Sequence, residues 1–310
     1  MNPAGSIVFF TTASGAGYGL LYWLGLLRPL GLIPGDPWFG LVALGLALLL
    51  ITVGLLSSLA HLGHPERAWR AISQWRSSWL SREGVAALLT YLPAVLFGIG
   101  LLGDIPALAA PMGLLAATSA MVTVYSTGMI YASLKPIRQW HHPLVVPGYL
   151  MLAAFSGAAL LAMLAAFWGN GAVPAVLALL TGAGGFLLKT AYWRGIDTQP
   201  PEATAESATG LGQIGKVRPL DPPHTQTNYL LREMGFRIAR KHAAKLRRIV
   251  LAAGFGLPML LALLALLTGG AAAMALLTIG AVLALGGLLV ERWLMFAEAT
   301  HTVTLYYTGT

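Results

Sequence analysis

The sequence predicts an all-α polytopic membrane protein with eight transmembrane helices, and three observations carry that prediction. Charged residues make up 10% of the 310 positions, against about 25% in a soluble domain. The mean hydropathy is +0.73. Residues 143–188 and 249–290 contain no Asp, Glu, Lys or Arg at all, and a run of ~20 apolar residues is what a ~30 Å hydrocarbon core needs from a helix. Length alone would allow two soluble domains, but the distribution of charge excludes them. The chain has no cysteine, which removes disulfides, a thiolate nucleophile and any Cys-ligated zinc or iron–sulfur cluster within it.

Backbone N–H and C=O groups find no water in lipid, so each apolar segment is expected to be helical. The first covers about 7–28. No basic residue precedes it between Met1 and Ser6, so it reads as a retained span, since a cleaved signal normally has a positive leader. Gly15, Gly17 and Gly19 resemble a nucleotide loop only on the surface, because no strand precedes them; Gly15 and Gly19 fit a small-residue packing motif. Turn chemistry at Ile33-Pro34-Gly35-Asp36-Pro37 leads into the second segment, 38–60. The third, 84–103, ends at Asp104-Ile105-Pro106. The fourth, 109–134, carries the hydroxyls of Tyr125, Ser126, Thr127 and Tyr131, expected mostly to bond neighbouring backbone, the alternative being that they line a polar path. The fifth, 144–168, is divided from the sixth, 172–193, by Gly169-Asn170-Gly171, and Gly269-Gly270 divides the seventh, 249–268, from the eighth, 271–296. Two four-helix halves are one way to arrange these.

The connection 195–248 is the only substantial extramembrane piece. Pro200 to Pro223 reads as an extended arm. Asn228 to Arg248 reads as a basic amphipathic helix, with Leu230, Leu231, Met234, Ile238 and Leu246 on one face. Such a helix suits anionic lipid or a soluble partner.

Alternation sorts the connections into side A, which holds both termini, and side B. Side A carries sixteen Lys and Arg residues and side B only Arg28. Lys189 and Arg292, in the side-A halves of their helices, are expected to snorkel outward. The positive-inside rule then places side A in the cytoplasm; the alternative is that some cations face a partner protein. The net charge of +8 is thus accounted for without a nucleic-acid partner.

All seven histidines fall on side A. The densest cluster is His61-Leu62-Gly63-His64-Pro65-Glu66-Arg67-Ala68-Trp69-Arg70, continuing through Trp75-Arg76-Ser77-Ser78-Trp79-Leu80-Ser81-Arg82-Glu83. His61 closes the second span and Glu83 opens the third, so a hairpin brings both to one depth. An imidazole that hydrogen-bonds a carbonyl oxygen and a carboxyl that exchanges protons suit a quinone, whose reduction takes up two protons along with two electrons. Trp69, Trp75 and Trp79 could wall a lipid-accessible groove for it. The competing reading is that boundary His, Trp and Arg are interfacial anchors and Glu83 a favourable N-terminal charge. Haem between His61 or His64 and His141 or His142 is a further alternative, disfavoured because both pairs sit at loop edges beside prolines. Glu291, Arg292, Glu298 and His301 are expected to pair among themselves, with Glu291 a candidate on a proton route. No Lys, Asp or Glu lies mid-bilayer in the first five spans, which argues against an ion-coupled transporter.

The block from His61 to Arg70, with Ser78-Trp79-Leu80-Ser81-Arg82-Glu83, resembles the DmsC family, the membrane anchors of dimethyl-sulfoxide-reductase-type molybdoenzymes. Tyr131-Ala132-Ser133-Leu134, Trp140-His141-His142-Pro143, Tyr192-Trp193-Arg194-Gly195-Ile196-Asp197, Glu291-Arg292-Trp293 and Ala297-Glu298-Ala299 are similar to its recurrent stretches. The resemblance covers nearly the whole chain except the arm at 200–223. It implies quinone binding (ubiquinone or menaquinone) by His61 and Glu83, with Trp79, Arg82, Ser78, His64 and Arg67 around them, and no haem. It also implies a heterotrimer, in which an iron–sulfur subunit and a molybdopterin catalytic subunit dock on the basic side, with lipid around the helices. Sulfite-oxidising anchors of this kind face the cytoplasm and sulfoxide-reducing ones the periplasm. The basic side A therefore favours the anchor of a cytoplasm-facing sulfite:quinone oxidoreductase. The alternatives are a quinol-oxidising anchor of a DMSO, polysulfide or tetrathionate reductase, and a stand-alone transporter or structural anchor.

Overall fold

Among the described residues eight helices are long and apolar enough to cross a membrane, and there is no β-strand beyond one isolated bridge, Ile137 to His301. The computed structural model describes residues 3–61, 64–198, 203–218, 220–221 and 238–305, with the side chains of 61, 65, 71 and 238–241 excepted. In chain order the spans are α1 (Gly5–Leu27), α2 (Pro37–Ser57), α3 (Trp79–Leu102), α4 (Pro106–Ala132), α5 (Val145–Phe167), α6 (Ala172–Thr198), α7 (His242–Thr268) and α8 (Gly270–Ala297).

The ends follow local chemistry. Asp36 caps α2, its carboxylate accepting from the Phe39 N–H at 2.9 Å, and Pro37 supplies the first residue. Gly269 and Gly270, at φ 67° and 54°, make the tight reversal into α8 in a conformation other residues adopt at a cost. Helix α7 is continuous with the basic helix Ile238–Ile249 through a π-helical stretch, Val250–Gly256. Pro258 has no N–H to give the Gly254 carbonyl, and the ladder upstream shifts register, the Leu257 N–H reaching Ala252. The part of the expected amphipathic helix before residue 238 lies outside the described residues. From Ile238 onward the helix is the extension of a span, with Leu246 packed on the core.

Helix α1 stands at the centre, 78% of its membrane window buried against 33% for α4 and α8. That position explains its low hydropathy for a span. Thr11, Thr12 and Ser14 face protein instead of lipid and give their hydroxyl hydrogens to carbonyls of the preceding turn. Helix α1 packs on α5 through Gly19 and Gly157, and a Cβ at Gly19 would run into the Ala153 carbonyl oxygen. Small residues let membrane helices approach this closely. The expected Gly15–Gly19 motif is only half realised, because a Cβ at Gly15 meets nothing within 4 Å. Gly19→Ala is expected to cost about 1–3 kcal/mol through overpacking, whereas Gly15→Ala leaves stability unchanged or slightly raised. Thermal unfolding of the two variants in detergent checks the contrast, and equal midpoints would contradict it.

Candidate functional site

Helix α3 starts at Trp79, which puts Glu83 just over one turn inside the span and on the face turned to the bundle. Glu83 is only 5% exposed. Its partner comes from the antiparallel neighbour α4. The Thr127 hydroxyl donates to Glu83 Oε1 at 2.5 Å, and it also lies 3.1 Å from the Thr123 carbonyl oxygen. A hydroxyl has one hydrogen and two acceptor positions. Thr127 can therefore donate to a Glu83 carboxylate, or turn its hydrogen to Thr123 and accept from a Glu83 carboxylic acid. Either form of the acid is satisfied without moving a heavy atom.

Around this pair the residues named from the sequence divide. Trp79 is half-buried, with its ring edge-on to Tyr125 at 5.8 Å and the Arg82 guanidinium 4.2 Å above it. Arg82 also donates to the carbonyls of Trp75 and Arg76, at 3.0 and 2.7 Å, and so ties the preceding loop to the start of α3. Ser78 is the residue before the helix and makes no side-chain cap. His64 and Arg67 are exposed and both face Glu66, at 3.0 and 3.7 Å. His61 ends a 3-10 turn, Ser58–His61, and its side chain lies outside the described residues. Trp69 and Trp75 are exposed, each under the guanidinium of the next residue, Arg70 or Arg76. Of the three tryptophans, Trp79 is the one that packs against the span carrying Thr127.

A second polar cluster departs from expectation. Lys189 and Arg292 do not snorkel outward; each is 5% exposed, and both flank Glu291, which is fully buried. Lys189 Nζ lies 2.6 Å from Glu291 Oε1, and Arg292 Nη1 lies 3.5 Å from Oε2. The interior offers these cations a carboxylate and aromatic faces. Arg292 sits over Tyr149 at 3.8 Å, and Lys189 over Tyr192 at 4.1 Å. Glu298 and His301 do not join them. Glu298 pairs with Arg247 at 2.9 Å, and Arg247 also grips Asp197 at 2.6 Å. His301 accepts from the Val303 N–H and caps a short turn.

Two other loop histidines, His141 and His142, have structural partners, and His224 lies outside the described residues. His141 Nδ1 donates to the Ala132 carbonyl at 2.6 Å. His142 is buried edge-on to Tyr192, and its Nδ1 accepts from the Leu144 N–H at 3.2 Å. Burial first, then the cations Arg138 and Lys189, hold its imidazole below the usual range. Among the described residues no three His, Asp or Glu side chains are grouped to hold a metal ion. The sequence reading missed Thr127 as the partner of Glu83. Its spacing of four from Thr123, on a helix facing the one that carries an acid, was the available signal.

The family model described as DMSO reductase anchor subunit (DmsC) matches residues 2–307. The chain belongs to the DmsC family. It is also 33% identical to a sulfite dehydrogenase subunit of Allochromatium vinosum, an alignment that covers 99% of both chains. This DmsC-family protein is thus a multi-pass membrane anchor subunit of a DMSO-reductase-family enzyme, and membership implies catalytic partner subunits. The Glu83–Thr127 pair and the Lys189–Glu291–Arg292 cluster both sit within that anchor, towards the side-A ends of its helices.

Proposed function

We propose that this protein is the membrane anchor and quinone-reactive subunit of a cytoplasm-facing sulfite:quinone oxidoreductase, passing electrons from an iron–sulfur subunit to quinone. The observation that carries the reading is a carboxyl group buried in the side-A end of the bundle, whose one hydroxyl partner serves both of its protonation states. An acid that must give up and regain a proton in a site closed to bulk water needs such a partner. Ubiquinone or menaquinone supplies the two-electron, two-proton chemistry. Glu83 exchanges a proton with a quinone oxygen, His61 orients the carbonyl, and Trp79 with Arg82 forms the wall at the mouth of the site.

The exposed segment of Arg67, Trp69, Arg70, Trp75 and Arg76 supports docking of the iron–sulfur subunit on side A, since aromatic residues and arginine are enriched at protein interfaces. A molybdopterin subunit would oxidise sulfite beyond it. The sixteen-to-one excess of cations on side A supports the cytoplasmic orientation, and the likeness to a sulfite dehydrogenase subunit supports the substrate.

Co-purification with a tagged chain from native membranes tests this. Molybdenum and iron should accompany it, and sulfite should reduce a short-chain ubiquinone in the preparation. A chain that came away without either metal, or a complex inert to sulfite, would overturn the reading. Protease added to sealed inside-out vesicles should cut the 199–237 connection, whereas cutting only in right-side-out vesicles would reverse the orientation.

A further inference from the structure

The side-B connections carry three charged residues, Arg28, Asp36 and Asp104. Arg28 and Asp104 line one open crevice of about 230 Å³, where the side-B ends of α1, α3 and α4 meet. Arg28 is half-buried, and its two terminal nitrogens donate to the Pro34 and Gly35 carbonyls. Those bonds fix the guanidinium while using two of its five N–H groups. Asp36 is taken up by the cap of α2, where it accepts from the Phe39 N–H. Asp104 is exposed, and its carboxylate makes no ion pair or side-chain hydrogen bond among the described residues. Arg28 directly follows α1 and Asp104 lies two residues beyond α3. Trp38, in the first turn of α2, is 69% exposed at the same end of the bundle, where aromatic side chains meet lipid headgroups. The remaining wall is apolar and includes Phe97, Gly100 and Leu101 of α3 and Ala109 of α4.

We propose that this crevice binds a phospholipid whose headgroup carries a primary ammonium, of the phosphatidylethanolamine type, with its phosphate on Arg28 and its ammonium on Asp104. A cation and an anion that share a crevice without pairing with each other match a headgroup that carries both signs. The three charges at this end sum to −1, so a purely anionic headgroup would meet Arg28 but also face two carboxylates. A primary ammonium donates charge-assisted hydrogen bonds to a carboxylate. The methylated nitrogen of a choline headgroup has no N–H to give, and a glycerol headgroup has no cation. The apolar wall along α3 and α4 takes the first part of an acyl chain. A lipid held there ties the end of α1 to the α3–α4 hairpin from outside the bundle. The site lies at the opposite end of the spans from Glu83, so it stands or falls independently of the quinone reading.

The test uses the protein purified in detergent with whatever partners accompany it, washed free of co-purified lipid. It is titrated separately with dioleoyl phosphatidylethanolamine, phosphatidylcholine and phosphatidylglycerol, and native mass spectrometry follows the first lipid adduct on the anchor chain. Phosphatidylethanolamine should bind about fivefold or more tightly than either of the others, the scale of one partly exposed charged pair. Asp104→Asn keeps a residue that tolerates the φ of 47° found there, and it should erase that margin. Arg28→Gln should weaken all three lipids, because each presents a phosphate. Equal affinities for the three lipids in the wild-type protein would overturn the proposal. So would tightest binding of phosphatidylglycerol, or a preference for phosphatidylethanolamine that Asp104→Asn left unchanged. Should Arg28→Gln fail to assemble through loss of its bonds to Pro34 and Gly35, Asp104→Asn decides, since that side chain bonds nothing else among the described residues.

Discussion

Glu83→Gln is expected to slow reoxidation of the partner's reduced clusters by quinone by about 10²-fold or more, the scale on which a positioned acid–base group acts. Glutamine has nearly the same volume, and its amide oxygen can still accept from Thr127, so the helix pair and the docking surface are retained. What it lacks is a proton to exchange. Thr127→Val should give a smaller loss, because it leaves the acid in place but deprives it of the hydroxyl that follows its protonation state. The measurement is the reoxidation rate in the assembled complex, with protein and metal content checked against wild type. A glutamine variant that reoxidised its clusters at the wild-type rate would exclude Glu83 as the proton donor.

The largest stability effect is expected at Glu291. Its carboxylate is fully buried between Lys189 and Arg292, and Glu291→Gln would leave two cations in the bundle with no counter-ion. Breaking a buried pair by removing one partner typically costs about 3–5 kcal/mol, because an uncompensated charge remains out of water. Lys189→Met should cost less, since Glu291 keeps Arg292 and the remaining pair is neutral. Combining Lys189→Met with Glu291→Gln should recover part of the loss, since a single cation then remains. Unfolding midpoints of the three variants in one detergent, or in bilayers, check this order. Equal midpoints for Glu291→Gln and wild type would show that the cluster contributes little to stability.

These two acids show how far the residues speak before the chain is folded. Glu83 could be singled out because an acid beside a histidine-rich turn at the start of an apolar run is unusual. Its dependence on Thr127 could not be read, since that contact needs the rotation of α4 about its own axis. The same limit governs Lys189 and Arg292. Their position near the side-A ends of α6 and α8 is equally consistent with reaching outward to headgroups or inward to Glu291. Hydropathy gives their depth but not the direction in which they point. At Gly15 and Gly19 the spacing of four marks a small-residue motif, yet only Gly19 lies where α5 crosses.

What the sequence determined by itself was the number of spans, the helical state of each and the side on which the cations gather. The bilayer sets those properties, because it demands apolar length and internally satisfied backbone from every segment separately. Only the tertiary structure decided which face of each helix turns inward. That phase is fixed by helices far apart in the chain packing against one another. It joins Thr127 to Glu83, closes Glu291 between its two cations, and brings Asp104 to the crevice that Arg28 lines.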